Sequence, residues 1–108
     1  MKKGEIWLVE LPSSNGHEQT GTRPAIILSE EITNIAIVIP LTSNTQALKF
    51  PYTIELKPTK RNGLLTNSVA LIFHIRGIDK KRIIKNIGQV EEISLQEIER
   101  SIKRLLKI

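Results

Sequence analysis

The chain has 108 residues, a formal net charge of +5 and a sequence pI of about 9.8. This length predicts a single domain, spanning residues 1–108, with a modest hydrophobic core. Cysteine is absent, which excludes disulfides and thiolate metal sites, and two histidines are too few to indicate a metal cluster. No apolar run approaches the roughly 20 residues that span a bilayer, and no signal-peptide core follows the basic N-terminus. We therefore expect a soluble, cytoplasmic protein without membrane contact.

The positive charge favours polyanionic partners, because lysine and arginine displace counterions from phosphates. A mildly basic domain that binds no nucleic acid is the alternative. The aromatic residues are few: Trp7, Phe50, Tyr52 and Phe73. We therefore expect no broad base-stacking platform.

Strand patterns dominate the first half of the chain. Residues 5–11 are rich in strand formers, and the polar, glycine-containing stretch 12–24 interrupts them. The short apolar run 25–28 predicts a buried strand that anchors this polar loop. The run 35–39 is the most apolar in the chain and mainly β-branched, so it predicts a strand through the core.

The second half combines further strands with short turns. Alternation predicts a half-exposed strand over 52–56, and apolar runs predict strands over 68–75 and 87–90, the last with a bulge at Gly88. Asp79 is expected to cap a short helical turn over residues 80–83.

The C-terminal segment predicts a helix. Ser94 and Glu97 form a Ser-x-x-Glu capping-box pattern at its start. One apolar face follows, formed by Leu95, Ile98, Ile102, Leu105 and Leu106. The cations on the remaining face are interpreted as solvated, and they suit the negative end of the helix dipole. Five or more short strands with one helix predict a small, curled antiparallel sheet or barrel on which the helix packs.

The polar loop before the second strand concentrates chemical groups. Residues 17–23 contain a histidine, a carboxylate, an amide, two threonines and an arginine. Several polar groups on a rigid base are typical of binding and catalytic loops. A solvated hairpin loop is the alternative, since Gly16 and Gly21 are ordinary turn residues.

Several ordered motifs resemble the MazF/PemK family, the toxins of bacterial toxin–antitoxin pairs. Residues 16–24 are similar to the family's Gly-x-Glu-Gln-x-Gly-x-Arg-Pro signature, residues 4–9 to its opening strand and residues 39–43 to its strand-end threonine motif. Residues 67–71 and 75–82 resemble a later strand and the turn after it.

The resemblance implies a mainly β (α+β) fold: an SH3-like small barrel of about five to seven strands with a C-terminal helix, as in MazF, PemK and CcdB. It implies a homodimer that acts as a sequence-specific, metal-independent endoribonuclease on single-stranded RNA, with no cofactor. It also implies a cognate antitoxin whose disordered acidic tail occludes the RNA groove. Contact with DNA is expected only through the toxin–antitoxin complex.

The family's catalytic arginine and threonine correspond to Arg23 and Thr42, and its loop glutamate and glutamine to Glu18 and Gln19. Metal-free cleavage uses the substrate's 2′-hydroxyl as nucleophile and leaves a 2′,3′-cyclic phosphate and a 5′-hydroxyl. A planar guanidinium pairs with two phosphate oxygens, and a hydroxyl adds one hydrogen bond, so Arg23 and Thr42 suit charge stabilisation. The alternatives are an ion pair between Arg23 and Glu18, and an ordinary strand-end hydroxyl at Thr42.

The general acid and base are left open by the sequence. Arginine barely deprotonates, which makes Arg23 an awkward base, whereas histidine titrates near neutrality. The candidates for proton transfer or substrate positioning are His17, Glu18, Gln19 and His74. Many relatives have an acidic residue followed by glutamine where this chain has Phe73-His74, so no cleavage sequence is carried over from them.

Further polar and basic residues are candidates for RNA contacts. They are Thr20, Ser43, Asn44, Lys49, Lys57, Lys60, Arg61, Arg76 and Lys80. Each cation is also consistent with plain surface charge.

Two other functions fit the same barrel. One is a non-enzymatic toxin of the CcdB type, which traps gyrase through its C-terminal helix and needs no arginine–threonine pair. The other is an inactive RNA-binding or antitoxin-sequestering module. The signature together with Arg23 and Thr42 favours the nuclease.

Overall fold

The computed structural model describes residues 1–12 and 21–108, which form seven strands and one α-helix. The elements are β1 (Glu5–Leu11), β2 (Gly21–Ser29), β3 (Ile35–Thr42), β4 (Thr53–Leu56), β5 (Ser68–Leu71), β6 (Arg76–Asp79), β7 (Ile83–Gln89) and α1 (Glu92–Leu106). The predicted class, mainly β with a C-terminal helix, is confirmed.

The described strands form one antiparallel sheet in the order β4-β5-β3-β2-β1-β7, with β6 also paired to β3. β3 is its central strand. One edge of β3 pairs with β2, and the other pairs first with β6 through residues 35–38 and then with β5 through residues 41–42. The sheet therefore divides near the end of β3. Beyond that point β3 is paired with β5, and β2 is paired with β1.

Hydrophobic side chains pack on both faces of the sheet, because successive residues of a strand point to opposite sides. Ile26 and Ile39 belong to a cluster that also contains Ile98 of α1. Ala25 and Ile27 belong to a second cluster on the other face. β2 is thus buried on both sides, which gives a rigid base to the residues that precede Ala25.

The strand predicted over residues 68–75 ends earlier, at Leu71. A 3-10 turn over Ile72–His74 follows it, and the Ile72 amide donates to the carbonyl of Tyr52 (3.0 Å). This turn redirects the chain so that β6, which was not predicted, pairs with β3. His74 consequently lies in a turn rather than in a strand.

Several boundaries differ from the sequence prediction by a few residues. β2 extends beyond the predicted 25–28, and β4 begins one residue late because Tyr52 has a φ of 58°. β7 begins four residues earlier than predicted, and its bulge leaves Ile87, beside Gly88, as the extra residue. The Asp79 cap is confirmed, since its carboxylate accepts from the Lys81 amide (2.9 Å).

The helix prediction was wrong in two details. α1 begins at Glu92, so Ser94 lies inside its first turn and does not cap it. The reason is a tertiary hydrogen bond, because the Val90 amide donates to the carbonyl of Gly4 (2.9 Å) and the chain leaves the sheet directly into the helix. Leu106 was placed on the apolar face, but it is 52% exposed. In the described part of the chain, no helix has the length and apolar character needed to cross a membrane.

Candidate active site

Arg23 and Thr42 lie where β2 and β3 separate. Ala25 and Pro40 form the last register pair at this end of the β2–β3 ladder. Arg23 is two residues before Ala25 and Thr42 is two residues after Pro40, so both lie beyond the same end of the antiparallel ladder. Each strand has another neighbour there, β1 for β2 and β5 for β3, and a cleft opens between them.

A cavity of about 470 Å³ lies in this cleft and is lined by both Arg23 and Thr42. Its volume falls within the roughly 300–1,000 Å³ of typical ligand sites. The other lining residues are Leu8, Thr22, Pro24, Leu41, Ser43, Gly63, Leu64, Leu65, Thr66, Ser68 and Ile87. The structure therefore brings the predicted catalytic pair together, with the predicted RNA contact Ser43 beside it.

The Thr42 side chain is oriented by a local hydrogen bond. Thr42 is only 6% exposed, and its Oγ1 accepts from the amide of Asn44 (3.2 Å). A hydroxyl that accepts one hydrogen bond still has its own proton to donate. Thr42 is thus suited to donate a hydrogen bond to a phosphate oxygen in the cavity.

A buried asparagine holds the loop between β4 and β5, which contributes residues 63–66 to the cavity. Asn62 is 2% exposed, and its Oδ1 accepts from the amides of Thr59 and Leu64 (3.0 Å each) while its Nδ2 donates to the Lys57 carbonyl (2.8 Å). Gly63 follows with a φ of +67°. Sequence reasoning identified this Asn-Gly step only as a turn, although a side-chain amide in a turn is a known signal for local backbone hydrogen bonds.

A second cavity, also of about 470 Å³, shares Thr42 with the first. Asn44 and His74, both predicted site residues, line it. The Phe50 and Phe73 rings lie 6.1 Å apart at 63°, and the Phe73 and His74 rings lie 4.4 Å apart at 66°. The two phenylalanines were missed as site residues, because they are 23 positions apart and nothing local joins them.

The predicted RNA-binding cations occupy different surroundings. Arg76 lines a third depression, of about 400 Å³, together with Phe73 and His74. Lys80 donates to the carbonyl of Glu30 (2.7 Å), which ties its ammonium to the turn before β3. The other four are exposed and lie outside these three cavities of the described structure: Lys49, Lys57, Lys60 and Arg61.

Four predicted site residues lie outside the described part of the chain: His17, Glu18, Gln19 and Thr20. Their roles stay predictions. Among the residues that the structure describes, no group of three or more histidine, cysteine, aspartate or glutamate side chains could hold a metal ion.

The fold and the cleft agree with the family comparison. The family of PemK-like, MazF-like toxins of type II toxin–antitoxin systems matches residues 2–106. The chain belongs to this family.

Two characterised relatives span nearly the whole chain. Endoribonuclease EndoA of Bacillus subtilis (strain 168) is 30% identical over 107 residues, covering 95% of this chain and 91% of the relative. Endoribonuclease MazF9 of Mycobacterium tuberculosis is 31% identical over 112 residues, covering 95% and 93%. These relatives confirm the predicted family and the predicted enzyme class, which is endoribonuclease.

Solved structures agree on the fold. MazF of Deinococcus radiodurans superposes with a TM-score of 0.84 at 24% identity, covering 100% of this chain and 97% of the other. A MazE–MazF structure from the same organism gives a TM-score of 0.74 at 24% identity, with 100% and 96% covered. At this identity the likeness establishes the shared fold.

Proposed function

We propose that this protein is a toxin that cleaves single-stranded RNA at specific sequences, without a metal ion or cofactor, and that Arg23 and Thr42 are its catalytic pair. One observation carries the proposal. The two residues are 19 positions apart in sequence, yet both line the cavity where β2 and β3 separate. A guanidinium and a buried hydroxyl donor beside one cavity match the needs of an anionic phosphoryl transition state.

The proposed reaction is an internal transesterification of RNA. The 2′-oxygen attacks the adjacent phosphorus and loses its proton to a base, while the bond from phosphorus to the 5′-oxygen breaks and that oxygen receives a proton. The products are a 2′,3′-cyclic phosphate and a 5′-hydroxyl. Arg23 stabilises two phosphoryl oxygens, and Thr42 donates one further hydrogen bond to them.

We propose that proton transfer involves His74 and residues of the polar loop that precedes Arg23. His74 lines the cavity that adjoins Thr42, so it lies on the β3 side of the cleft. His17, Glu18 and Gln19 precede Arg23 by four to six positions in the polar loop. We propose His17 and Glu18 as candidates for the general acid and the general base, and we propose that Gln19 and Thr20 position the substrate.

The proposal includes an assembly and a location. We propose a homodimer in the cytoplasm, inhibited by a cognate antitoxin whose acidic tail occupies the RNA groove, with DNA contacted only through the complex. The net charge of +5 suits an acidic segment as well as RNA. Related proteins have been solved with antitoxins, MazE with MazF of Deinococcus radiodurans and a mycobacterial endoribonuclease with its cognate antitoxin.

The experiment is cleavage of a long single-stranded RNA in excess EDTA, with analysis of both product ends. Wild type is compared with Arg23→Ala and with Lys81→Ala, an exposed cation away from the cavity. We expect discrete cuts with cyclic phosphate and 5′-hydroxyl ends, a loss of about 10²–10³-fold in rate for Arg23→Ala, and little change for Lys81→Ala.

Full activity of Arg23→Ala, or cleavage that EDTA abolishes, would contradict the mechanism. An absence of cleavage across diverse RNAs would favour a gyrase poison or an inactive module on the same barrel.

A further inference from the structure

Residues 59–63 form a tight turn that contains the Asn62-Gly63 step and leads into the wall of the catalytic cavity. Asparagine side chains are chemically labile, and most of all before glycine, which has no Cβ to shield its peptide nitrogen. In deamidation the Gly63 nitrogen loses its proton and bonds to Cγ of Asn62, and the side-chain nitrogen leaves as ammonia. Water then opens the succinimide ring to aspartate or isoaspartate.

The folded chain withholds the nitrogen that would attack. The Gly63 amide donates to the carbonyl of Thr59 (3.1 Å). This hydrogen bond retains the amide proton and fixes the plane of the peptide bond between Asn62 and Gly63, because the bond itself is rigid. Ring closure requires that plane to turn until the nitrogen faces Cγ.

The Asn62 side chain is held at both of its polar atoms. Its Oδ1 accepts from the amides of Thr59 and Leu64, and its Nδ2 donates to the carbonyl of Lys57. Asn62 is also only 2% exposed, which keeps water away from the carboxamide. Three hydrogen bonds must therefore break before Cγ can turn toward the Gly63 nitrogen.

Strand β7 packs directly on the same peptide bond. A Cβ added at Gly63 would collide with the carbonyl of Ile87, and one added at Gly88 would collide with the carbonyl group of Asn62. The two backbones are thus in contact, with no room for either to rotate. The peptide bond between Asn62 and Gly63 can turn only after it separates from β7.

We propose that Asn62-Gly63 is a deamidation site that the native fold keeps closed and that reacts when the turn separates from β7. The covalent step is independent of the proposed ribonuclease function. Only its effect on RNA cleavage rests on that function.

The product does not fit the native turn. A carboxylate at position 62 only accepts hydrogen bonds, so it would meet the Lys57 carbonyl without a donor, at a site that is 2% exposed. Isoaspartate would also add a methylene to the backbone. The next residues, 63–66, line the cavity with Arg23 and Thr42. Deamidation therefore removes one wall of the catalytic cavity.

The first test compares deamidation in the folded and the unfolded full-length protein. The protein is incubated at mildly alkaline pH with and without guanidinium chloride, cut after glutamate at mildly acidic pH, and analysed by tandem mass spectrometry. Asn62 then lies on the peptide 56–91. A second Asn-Gly step, at residues 15–16, lies on the peptide 11–18 and is the internal standard for the unfolded chain.

In guanidinium we expect Asn62 and Asn15 to convert at similar rates, because the dipeptide is the same. Without denaturant, Asn62 should convert at least about 10²-fold more slowly than in guanidinium, since the reaction waits for local opening. Equal rates for Asn62 in the two conditions, or no conversion in guanidinium, would overturn the proposal.

The second test opens the turn. Thr59→Val removes a hydroxyl that accepts from the Asn62 amide (3.0 Å) and donates to Oε2 of Glu91 (2.9 Å). Loss of both hydrogen bonds should raise the deamidation rate of the folded protein by about tenfold. The control is Thr33→Val, at an exposed threonine in the turn before β3, which should leave the rate unchanged. An unchanged rate in folded Thr59→Val would contradict the proposal.

Circular dichroism shows whether Thr59→Val is folded. If it is not, wild type is studied at guanidinium concentrations below its unfolding transition. The deamidation rate must then rise in proportion to hydrogen exchange at the Gly63 amide, measured by NMR. A deamidation rate that does not follow this exchange would overturn the proposal.

The third test measures the effect of the modification. Asn62→Asp carries the direct product, and Asn67→Asp places the same charge at an exposed position of the same loop. We expect Asn62→Asp to lower the midpoint of thermal unfolding by about 8 °C or more, and Asn67→Asp to leave it near the wild-type value. An unchanged midpoint in Asn62→Asp would contradict the loss of the cavity wall.

RNA cleavage by the same variants separates the two proposals. Where wild type cleaves RNA, Asn62→Asp should lose most of this activity. Wild type that cleaves no RNA would count against the ribonuclease function, whereas the mass spectrometry would still decide whether Asn62 is a closed deamidation site.

Discussion

Arg23 and Thr42 each lie two residues beyond the Ala25–Pro40 pair, on strands that take different neighbours from that point. The cleft between them is therefore fixed by the sheet and needs no movement of either strand to form. Preorganised donors at such a position are worth more than mobile ones, because they are not reoriented when charge develops.

The Thr42 hydroxyl is the first testable element of this arrangement. Thr42→Val keeps the shape of a buried side chain but removes the donor, so we expect kcat/KM to fall by about 10²-fold or more. Thr42→Ser keeps the hydroxyl and should retain most activity. Cleavage kinetics on one RNA measure both, and activity of Thr42→Val at the level of Thr42→Ser would contradict the assignment.

Asn62 is predicted to stabilise the fold through its three side-chain hydrogen bonds. Asn62→Ala leaves two amides and a carbonyl of the loop without this partner, and we expect the free energy of unfolding to fall by about 2–4 kcal/mol. Urea unfolding measures the change. Asn67→Ala, an exposed position in the same loop, is the control and should lie within about 0.5 kcal/mol of wild type.

Gly63 and Gly21 offer a matched pair of glycines with positive φ. Alanine at either position adopts a left-handed conformation that costs about 1–2 kcal/mol. At Gly63 the new Cβ would also collide with the Ile87 carbonyl, whereas at Gly21 no described atom beyond the adjoining residues lies within 4 Å of it. We expect Gly63→Ala to be the more destabilising by at least about 1 kcal/mol. Equal free energies of unfolding for the two variants would contradict this prediction, because they would show that β7 shifts to accommodate the new Cβ.

Arg76 is predicted to contact one RNA phosphate. Arg76→Ala should lower the slope of log binding constant against log salt concentration by about 0.7, the value for one phosphate of a single strand. Lys81→Ala, an exposed cation in the turn after β6, should leave the slope unchanged. Fluorescence anisotropy with an RNA carrying 2′-deoxyribose at the cut site measures binding without cleavage. An unaltered slope in Arg76→Ala would show that Arg76 makes no contact with an RNA phosphate.

Glu5 makes the free energy of unfolding depend on pH in the acid range. Burial by itself raises the pKa of its carboxyl, but hydrogen bonds from the Trp7 indole (3.1 Å) and the Lys2 amide (2.8 Å), with nearby positive charge, bring the pKa below the ordinary 4.5. A lowered pKa in the folded state adds stability above the unfolded-state pKa, and that stability is lost as pH falls through the folded-state pKa.

Glu5→Gln should therefore be less stable than wild type at pH 7, and the difference should shrink below about pH 4.5. Urea unfolding at pH 3, 5 and 7 measures it, with the exposed Glu55→Gln as control. A difference that is constant over this range would contradict the lowered pKa.

The sequence by itself determined the local elements and the candidate catalytic pair. The β-branched run of β3, the Asp79 cap and the Gly-x-Glu-Gln-x-Gly-x-Arg-Pro signature depend on near neighbours in the chain, which propensity and spacing report directly. Arg23 and Thr42 were identified as the candidate pair because the short motif that contains each of them resembles a motif of the MazF/PemK family.

The tertiary structure alone decided which distant residues meet. Phe50 reaches Phe73 because β4 pairs with β5 and the turn after Leu71 bends back, and α1 begins at Glu92 because Val90 is bonded to Gly4 at the other end of the chain. These contacts depend on strand register. Register is set by which faces of distant strands are buried together and by the turns that join them, and no single local pattern reports that.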